Sequence, residues 1–248
     1  MVDFAVVIPA RYASQRLPGK PLAEIAGRPM IRHVWDRACE SKADEVVLAT
    51  DDERIAAAAE SFGATVCMTG GHHRSGTERI AEVADLRGWP DERIVVNLQG
   101  DEPTMPAQLI DECAGLLDDG SADIATLASP FASQADFESP NCVKVVRDTR
   151  DHAIYLSRAT IPYPRDAASS ERASRAALHH HGIYAYRCGV LRTLVAAEPS
   201  ELEICEQLEQ LRALALGMRI AVGIPSRRPG AGVDTPEDIA RVEAELEK

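Results

Sequence analysis

Short runs of β-branched and other apolar residues alternate with segments of helical periodicity, and this alternation limits the possible folds more than any other feature of the chain. The apolar runs predict strands over residues 4–8, 45–49, 65–68, 93–98 and 122–128. The periodic segments between them predict helices over residues 30–40, 78–86 and 105–117. Because such alternation is typical of βαβ units, we expect an α/β fold with a mostly parallel central sheet.

The pattern changes after Ser129, where the sequence indicates an inserted, partly antiparallel subregion over residues 129–187. Two short apolar runs, 143–146 and 152–156, predict an antiparallel hairpin. The small and polar residues 166–178 predict a flexible loop.

The rest of the chain returns to the α/β pattern, with strands predicted over 182–186 and 219–223 and helices over 191–197 and 202–216. Thr50 and Glu53 have the spacing of a capping box, and Thr235 is the expected N-cap of the last helix. The 248 residues contain no internal repeat and no linker between two cores. We therefore expect a single domain over residues 1–248.

Charge and composition exclude several classes of protein. The chain has 27 Lys and Arg against 39 Asp and Glu, a net charge of −12 that argues against a general nucleic-acid binder. Six cysteines show no CxxC pair or metal-ligand spacing, which indicates reduced thiols. No run of about 18 apolar residues occurs, and the apolar N-terminal run is too short for a signal peptide. These features predict a soluble cytoplasmic enzyme with no membrane or nucleic-acid partner.

A basic loop follows the first predicted strand. Residues 9–21 include Arg11, Arg16 and Lys20 together with Gly19 and three prolines, and no acidic residue. Loops at the carboxyl ends of strands bind ligands in open α/β sheets, and Arg and Lys are suited to phosphate. The loop matches neither the dinucleotide-binding fingerprint nor a Walker A motif, so it predicts a different kind of anion site.

A second loop, residues 70–78, precedes a predicted helix. Ser75 and Glu78 have capping-box spacing, which places Arg74 at a helix N-terminus where free amides can bind an anion or a base carbonyl. His72 and His73 are adjacent in this loop, and we expect them to face solvent rather than to bind a metal.

Two aspartates complete the pattern. Asp101 follows a strand within residues 97–103, and Asp234 precedes the last helix. Each alone is typical of a turn or a cap, but with the basic loop they indicate Mg²⁺-assisted chemistry at phosphorus.

These motifs closely resemble those of the cytidylyltransferases that activate the eight-carbon sugar acid 3-deoxy-D-manno-octulosonate (Kdo). The resemblance covers nearly the whole chain in the same order. It is carried by the basic loop through Pro21 and by His73-Arg74-Ser75-Gly76-Thr77-Glu78-Arg79, Gln99-Gly100-Asp101-Glu102-Pro103, Ser157-Arg158-Ala159-Thr160-Ile161-Pro162, His180-x-Gly182-Ile183-Tyr184-x-Tyr186-Arg187, Leu208-Glu209-Gln210-Leu211-Arg212 and Gly232-Val233-Asp234-Thr235-Pro236-Glu237-Asp238.

The resemblance implies transfer of CMP from CTP to Kdo with release of pyrophosphate, in a homodimer with the Rossmann-like fold of nucleotide-diphospho-sugar transferases. It implies that CMP-Kdo serves lipopolysaccharide biosynthesis. Residues 129–187 would then be the sugar-binding and dimerisation subregion.

The resemblance also assigns roles to individual residues. Those implied for catalysis are Arg11, Lys20, Asp101 and Asp234, of which Asp101 and Asp234 would bind Mg²⁺. Those implied for nucleotide binding are Ala10, Arg11, Lys20, Arg74, Ser75 and Gly76. Those implied for sugar binding are Gln99, Arg158, Arg165, His180, Tyr184, Glu209 and Gln210. His179 and His181 have no counterpart in the family pattern.

Physical chemistry agrees with such a reaction, because the sugar's own hydroxyl attacks the α-phosphorus and no protein nucleophile is needed. Alternatives remain open at this point: a cytidylyltransferase for 8-amino-Kdo or sialic acid, another enzyme of this fold acting on a neutral sugar phosphate, or a non-catalytic nucleotide sensor. The sequence also leaves open whether Arg158 or Arg165 binds the sugar carboxylate and whether residues 166–178 close over the substrate.

Overall fold

A computed structural model describes residues 3–13 and 17–246 of the chain. Arg16, one of the cations of the predicted basic loop, lies outside these residues. The strands are β1 (Phe4–Ala10), β2 (Glu24–Ile25), β3 (Arg28–Pro29), β4 (Glu45–Thr50), β5 (Val66–Met68), β6 (Ile94–Asn97), β7 (Ile124–Ser129), β8 (Lys144–Arg147), β9 (Ala153–Ser157), β10 (Leu178–Arg187) and β11 (Ile220–Gly223).

The helices connect these strands and cover both faces of the sheet. They are α1 (Met30–Cys39), α2 (Glu53–Ser61), α3 (Gly76–Leu86), α4 (Ala107–Gly115), α5 (Gln134–Glu138), α6 (Ser170–Ala176), α7 (Cys188–Ala196), α8 (Glu201–Glu206), α9 (Gln210–Ala215) and α10 (Pro236–Leu246). Within the described residues, none is long and apolar enough to cross a membrane.

The main sheet has the strand order β11-β7-β10-β6-β1-β4-β5. Strand β1 is parallel to both β4 and β6, and β7 is parallel to β11. Strand β10 lies between β6 and β7 and is antiparallel to both. The hairpin of β8 and β9 extends the sheet from β10. The predicted α/β fold with a mostly parallel sheet and a small antiparallel part is therefore confirmed.

Alternation along β1 builds the core on both faces of the sheet. Val6 and Ile8 face a layer that includes α1 and α4, whereas Ala5 and Val7 face a layer that includes α3 and α7. All four of these residues are fully buried. Burial on both faces is why β1 has an almost continuous apolar sequence rather than an alternating one.

The order of strands determines where the loops meet. Because β1 and β6 are parallel neighbours, the residues that follow Ala10 and Asn97 emerge at the same edge of the sheet. Strand β10 runs the opposite way, with Tyr184 opposite Asn97, so its earlier residues reach beyond the end of β6 at that same edge. The site described below lies there.

Two predictions of local structure were wrong in the second half of the chain. Residues 166–178 are not an irregular loop, because α6 forms within them and buries Ala173 against Phe137. The predicted helix 202–216 is two helices, α8 and α9, separated at Gln207, whose φ of 53° is left-handed.

Helix caps also differ in detail from the prediction. Asp52, not Thr50, caps α2, and its side chain accepts a hydrogen bond from the Arg54 amide. Thr50 is instead the last residue of β4. At the start of α10, the carboxylate of Asp238 accepts hydrogen bonds from the amides of Asp234 and Thr235. An acidic residue within the helix therefore caps the two amides that precede the helix.

Candidate active site

Two adjoining cavities open at the edge of the sheet where β1 and β6 end. The first, which we call the loop cavity, has a volume of about 420 Å³, and its walls include Ala10, Arg11, Lys20, Arg74, Ser75, Gly76 and Asp234. The second, the strand cavity, has a volume of about 310 Å³, and its walls include Thr77, Asn97, His180, Tyr184, Glu209 and Gln210. Gln99 and Asp101 line both cavities.

This arrangement brings most of the predicted site residues together. The residues predicted to bind the nucleotide all line the loop cavity, and those predicted to bind the sugar line the strand cavity except Arg158 and Arg165. Because the two cavities share a wall at Asp101, groups bound in each would meet at that residue.

The basic loop is held against the end of β1 by its own backbone. The Gly19 amide donates to the Tyr12 carbonyl, and Gly19 has a φ of 69°, which favours glycine. A Cβ at Gly19 would lie 3.2 Å from the Tyr12 ring, so a side chain there would also crowd the ring. This turn directs the following Lys20 into the cavity.

Lys20 connects the two predicted metal ligands. Its Nζ lies 2.7 Å from Oδ2 of Asp101 and 3.0 Å from Oδ1 of Asp234. The Val233 amide donates to the Asp101 carbonyl, which joins the two distant segments of the chain. The sequence predicted Lys20 for phosphate and the aspartates for a metal, but it did not predict that the three side chains bind one another.

Gly100 allows the turn after β6 to lie close to β1. A Cβ at this position would lie 2.8 Å from the carbonyl oxygen of Pro9, closer than such atoms approach in proteins. Only glycine fits without displacing backbone, and this close approach places Asp101 beside the basic loop.

The carboxylates of Asp101 and Asp234 fit a magnesium ion. Both converge on the point where the Lys20 ammonium lies, and carboxylate oxygens are ligands that Mg²⁺ prefers. Among the described residues, no cluster of three or more His, Cys, Asp and Glu side chains is arranged to hold a metal. Two protein carboxylates with the remaining positions left to water and phosphate oxygens is the usual arrangement for Mg²⁺.

Glu102 is a site residue that the sequence did not single out. Burial, and secondarily the charges of Asp101 and Asp234, raise the pKa of Glu102 to about 8. The carboxyl group is therefore largely protonated at neutral pH and adds little to the negative charge of the pair beside it. The only sequence signal was its position next to Asp101.

The N-terminus of α3 forms the opposite wall of the loop cavity. Ser75 caps the helix as predicted, accepting a hydrogen bond from the Glu78 amide. The capping box is incomplete, because the Glu78 carboxylate binds the backbone and side chain of Arg74 rather than the Ser75 amide. The first turn of α3 thus presents backbone amides to the cavity beside a cation that is already paired.

Arg79 is a second residue in this wall that received no role from the sequence. Its side chain is only 4% exposed, and its guanidinium pairs with Asp51 and donates to the Thr69 hydroxyl. It therefore supplies a fixed buried charge under the loop of residues 70–74. Nearby, His73 does not face solvent as predicted, because its ring is buried and bonded to the Glu82 carboxylate.

The histidine and the tyrosine that line the strand cavity are uncharged. Burial lowers the pKa of His180 to about 3, so its imidazole is neutral. Burial also raises the pKa of Tyr184 well above its usual range, so its phenol keeps its proton. Both side chains come from β10, and their ring centroids are 5.2 Å apart.

Two buried oxygens in the strand cavity have no hydrogen-bond partner within the described residues. They are Oδ1 of Asn97 and the hydroxyl of Tyr184, which has the Thr126 hydroxyl as a polar neighbour but no hydrogen bond of normal geometry. Buried polar atoms are nearly always satisfied in folded proteins, so these two are available to a bound ligand. The sequence gave no role to Asn97, although it is the polar residue that ends a buried strand.

Glu209 links the two cavities. Its carboxylate accepts hydrogen bonds from the Ser75 hydroxyl at 2.9 Å and from the Thr77 hydroxyl at 2.6 Å. Both donors belong to the N-terminus of α3, where a negative charge is also favoured by the helix dipole. Glu209, which is predicted to bind the sugar, is therefore hydrogen-bonded to Ser75, which is predicted to bind the nucleotide.

The two predicted arginines lie outside the strand cavity and differ in their surroundings. The Arg158 guanidinium donates to backbone carbonyls of Glu206, Pro140 and Gln207. Arg165 is exposed and makes no hydrogen bond or ion pair with the described residues. Only Arg165 therefore has its whole guanidinium available to an anion.

Comparison with known proteins gives consistent results. A family model described as cytidylyltransferase matches residues 5–220. A 3-deoxy-manno-octulosonate cytidylyltransferase of Vibrio campbellii is 51% identical over 249 residues, which cover 100% of this chain and 99% of that protein. The protein of the same description from Aliivibrio fischeri is 50% identical and is covered over 100% of its length.

Solved structures show the same relationship. A CMP:2-keto-3-deoxy-manno-octonic acid synthetase complexed with CTP is 42% identical, with a TM-score of 0.90 over 99% of this chain and 98% of that chain. The 4-diphosphocytidyl-2C-methyl-D-erythritol synthase of Anaerococcus prevotii has a TM-score of 0.64 over 99% of this chain and 97% of that chain, at 15% identity. This more distant likeness shows a shared fold alone.

Proposed function

The chain belongs to the cytidylyltransferase family, and from this membership we propose that it transfers CMP from CTP to Kdo, giving CMP-Kdo and pyrophosphate. One observation carries the proposal: a cavity lined by several cations and a cavity lined mostly by hydrogen-bonding groups without charge share a wall at Asp101. Two substrates of different chemistry can thus bind with their reacting ends in contact.

The reaction needs positioning and charge neutralisation more than covalent help from the protein. The anomeric oxygen of the sugar forms a bond to the α-phosphorus of CTP while the bond from that phosphorus to pyrophosphate breaks, and the hydroxyl proton is released. In-line geometry requires the attacking and leaving oxygens on opposite sides of the phosphorus. Cavities that meet at one wall favour this geometry.

The basic loop and the start of α3 would bind the nucleotide. We propose that Arg11 and Lys20 bind the triphosphate and neutralise the charge on the leaving pyrophosphate. Backbone amides at Ser75 and Gly76 would bind the base and ribose together with Ala10 and Arg74, since the first turn of α3 leaves these donors unpaired.

The proposal includes a magnesium ion held by Asp101 and Asp234. When bound, it supplies charge neutralisation at the phosphates and lowers the pKa of the attacking hydroxyl. The two aspartates would each supply a carboxylate oxygen to the ion, and water and phosphate oxygens would complete its coordination.

We propose that the strand cavity binds Kdo through Gln99, His180, Tyr184, Glu209 and Gln210, which present hydrogen-bonding groups to a polyhydroxy ligand. For the sugar carboxylate we propose Arg165, because the Arg158 guanidinium is engaged with three backbone carbonyls. Arg165→Ala should raise KM for Kdo about tenfold, while Arg172→Ala, another exposed arginine nearby, should not. An unchanged KM in Arg165→Ala would assign the carboxylate elsewhere.

We further propose that the enzyme is a cytoplasmic homodimer whose product serves lipopolysaccharide biosynthesis. Large apolar side chains are exposed on β9, on α8 and on the segment after β9: Ile154, Leu202, Ile204 and Tyr163. Burying them against a second copy would remove apolar surface from water. Light scattering coupled to size exclusion tests the dimer, and Ile154→Asp with Ile204→Asp should shift it to monomer.

Pyrophosphate release tests the function. Purified enzyme with Mg²⁺ should release pyrophosphate with CTP and Kdo, and not when Kdo is replaced by N-acetylneuraminate or glucose 1-phosphate, or CTP by UTP, ATP or GTP. A parallel reaction with 8-amino-Kdo decides between the two closest sugars. Tight CTP binding without release for any sugar would contradict catalysis and favour a nucleotide sensor.

The same assay tests the metal. Chelation with EDTA should abolish release, and added Mg²⁺ should restore it. Asp101→Asn and Asp234→Asn should each lower kcat at least 100-fold, whereas Asp118→Asn, at an exposed acidic residue away from the site, should leave it unchanged. Near-normal turnover in either site variant would contradict the assigned metal ligands.

A further inference from the structure

A hydroxyl group behind the strand cavity receives no role in the function proposed above. Thr126 lies in β7 and is fully buried. It faces a β-bulge in β10, where the pairing with β7 shifts between His181 and Tyr184. Its Oγ1 lies 2.8 Å from the carbonyl oxygen of Ile183, 3.2 Å from that of His181 and 3.1 Å from Nε2 of His180.

The number of hydrogen atoms on these groups determines which of them donates in each hydrogen bond. A threonine hydroxyl has one hydrogen, and both carbonyl oxygens can only accept. The hydrogen must therefore point to the carbonyls, the shorter contact being to Ile183. If it pointed to His180 instead, the Thr126 oxygen would lie against two carbonyl oxygens with no hydrogen between them.

The imidazole must then supply the hydrogen between His180 and Thr126. Oγ1 can accept through a lone pair, and Nε2 can donate only if it carries a proton. Burial keeps the His180 ring neutral by lowering its pKa to about 3, so the ring has one proton in total. With that proton on Nε2, Nδ1 has a free lone pair.

Nδ1 makes no hydrogen bond with the described residues, and His180 lines the strand cavity. The Tyr184 ring lies beside the His180 ring, at a centroid distance of 5.2 Å. The free lone pair is therefore a candidate acceptor for a ligand in the cavity.

We propose that Thr126 is a positioning residue that fixes His180 in the tautomer protonated on Nε2, so that Nδ1 accepts a hydrogen bond from a hydroxyl of the sugar. This inference rests on the proposed function only for the identity of the ligand. The tautomer itself is a property of the free protein. His180 then recognises a hydroxyl hydrogen, and a sugar that lacks the hydroxyl at that position leaves Nδ1 unpaired and binds less tightly.

The tautomer can be measured in the unmodified full-length chain. In ¹⁵N-labelled protein at neutral pH without substrate, long-range proton–nitrogen correlation spectra distinguish protonated from unprotonated ring nitrogens. The His180 signals are assigned by their loss in His180→Gln. We expect Nε2 to be protonated and Nδ1 unprotonated. A proton on Nδ1 would overturn the proposal whether or not the protein uses Kdo.

Kinetics test the positioning role with variants of similar shape. Thr126→Val should raise KM for Kdo about tenfold, leave KM for CTP within twofold and disturb the His180 nitrogen signals, while Thr126→Ser should restore both. Thr193→Val is the matched control, because it removes an exposed threonine hydroxyl bonded to a backbone carbonyl. If the valine variant does not fold, Thr126→Ala takes its place. An unchanged KM for Kdo and an unchanged tautomer in a folded variant lacking this hydroxyl would overturn the proposal.

These outcomes separate the inference from the function on which it draws. Failure to release pyrophosphate with CTP and Kdo would contradict the function while the tautomer could still be as inferred. Normal activity with the opposite tautomer would contradict the inference alone.

Discussion

The loop cavity and the strand cavity share a wall but are built by opposite means. The loop cavity consists of turns and a helix N-terminus, and its groups are ionised: Lys20 between two aspartates, Arg74 paired with Glu78, and Arg79 paired with Asp51. The strand cavity is built on β6 and β10, and its histidine and tyrosine are kept neutral by burial.

The difference corresponds to what each cavity is proposed to recognise. A triphosphate presents charge that many arrangements of cations can bind, so loops with ion pairs are sufficient. A sugar presents hydroxyl groups that must be distinguished by direction, and rigid strands hold neutral donors and acceptors in fixed positions. Variants that change charge and variants that change hydrogen-bond direction should therefore have separable effects.

The largest effect is expected from Lys20→Ala in the loop cavity. The change removes a cation from the proposed triphosphate site and leaves Asp101 and Asp234 without their shared partner. We expect kcat/KM for CTP to fall about 100- to 1000-fold in steady-state pyrophosphate release. Lys42→Ala, which removes an exposed lysine paired at 3.8 Å with Asp111, is the control. A loss of less than tenfold would show that this cavity does not depend on Lys20.

The next largest effect is on the free energy of unfolding and its dependence on pH. It is expected at a buried histidine of β10 and not in the charged loops. Burial, and secondarily the positions of His179 and Arg228, lower the pKa of His181 to about 4 from an ordinary 6.5. The unfolded chain binds a proton between these values and the folded chain does not. The stability associated with His181 is therefore complete above pH 6.5 and is lost as the pH falls toward 4, by about 3 kcal/mol.

Urea unfolding at pH 7, 5.5 and 4 measures this dependence. In His181→Gln the free energy of unfolding should fall less steeply with acidification than in the parent protein, whereas His72→Gln, at an exposed histidine, should follow the parent. Parallel curves for the parent and His181→Gln would show that His181 is not the source of the acid sensitivity.

The smallest effect is expected at Glu209, where a single substitution should affect both cavities rather than one. Glu209 lines the strand cavity, and it also accepts hydrogen bonds from Ser75 and Thr77. Glu209→Gln should therefore weaken the binding of both substrates. We expect KM for Kdo to rise about tenfold and KM for CTP a fewfold, consistent with loss of a charged hydrogen bond. Glu201→Gln, an exposed acid in the first turn of α8, is the control. A change confined to Kdo would show that the cavities are energetically independent.

Sequence reasoning located the features that depend on local pattern. The strands of the first half, the cap at Ser75 and the turns that carry Arg11, Lys20 and Asp101 all follow from periodicity or from residue types with fixed conformational preferences. These features are local, so a single sequence contains enough information to place them.

Features that depend on tertiary packing were missed. The break at Gln207 has a left-handed residue that is not glycine, and its carbonyl accepts a hydrogen bond from Arg158. The raised pKa of Glu102 depends mainly on burial, and the donor role of His180 depends on Thr126, which is 54 residues away in the sequence. Propensity and spacing carry no information about such contacts.

The place of β10 in the sheet also has a consequence for how the chain is made. Strands β5, β4, β1 and β6 can pair once about 100 residues have left the ribosome. Strand β10 lies between β6 and β7 in the sheet, so β7 cannot join these strands until β10 has been synthesised. We expect a two-stage assembly in which amides of β1 and β4 become protected from hydrogen exchange before those of β7, as pulse labelling would show. Simultaneous protection would contradict it. The strand cavity, whose walls come from both stages, would be the last part of the enzyme to exist.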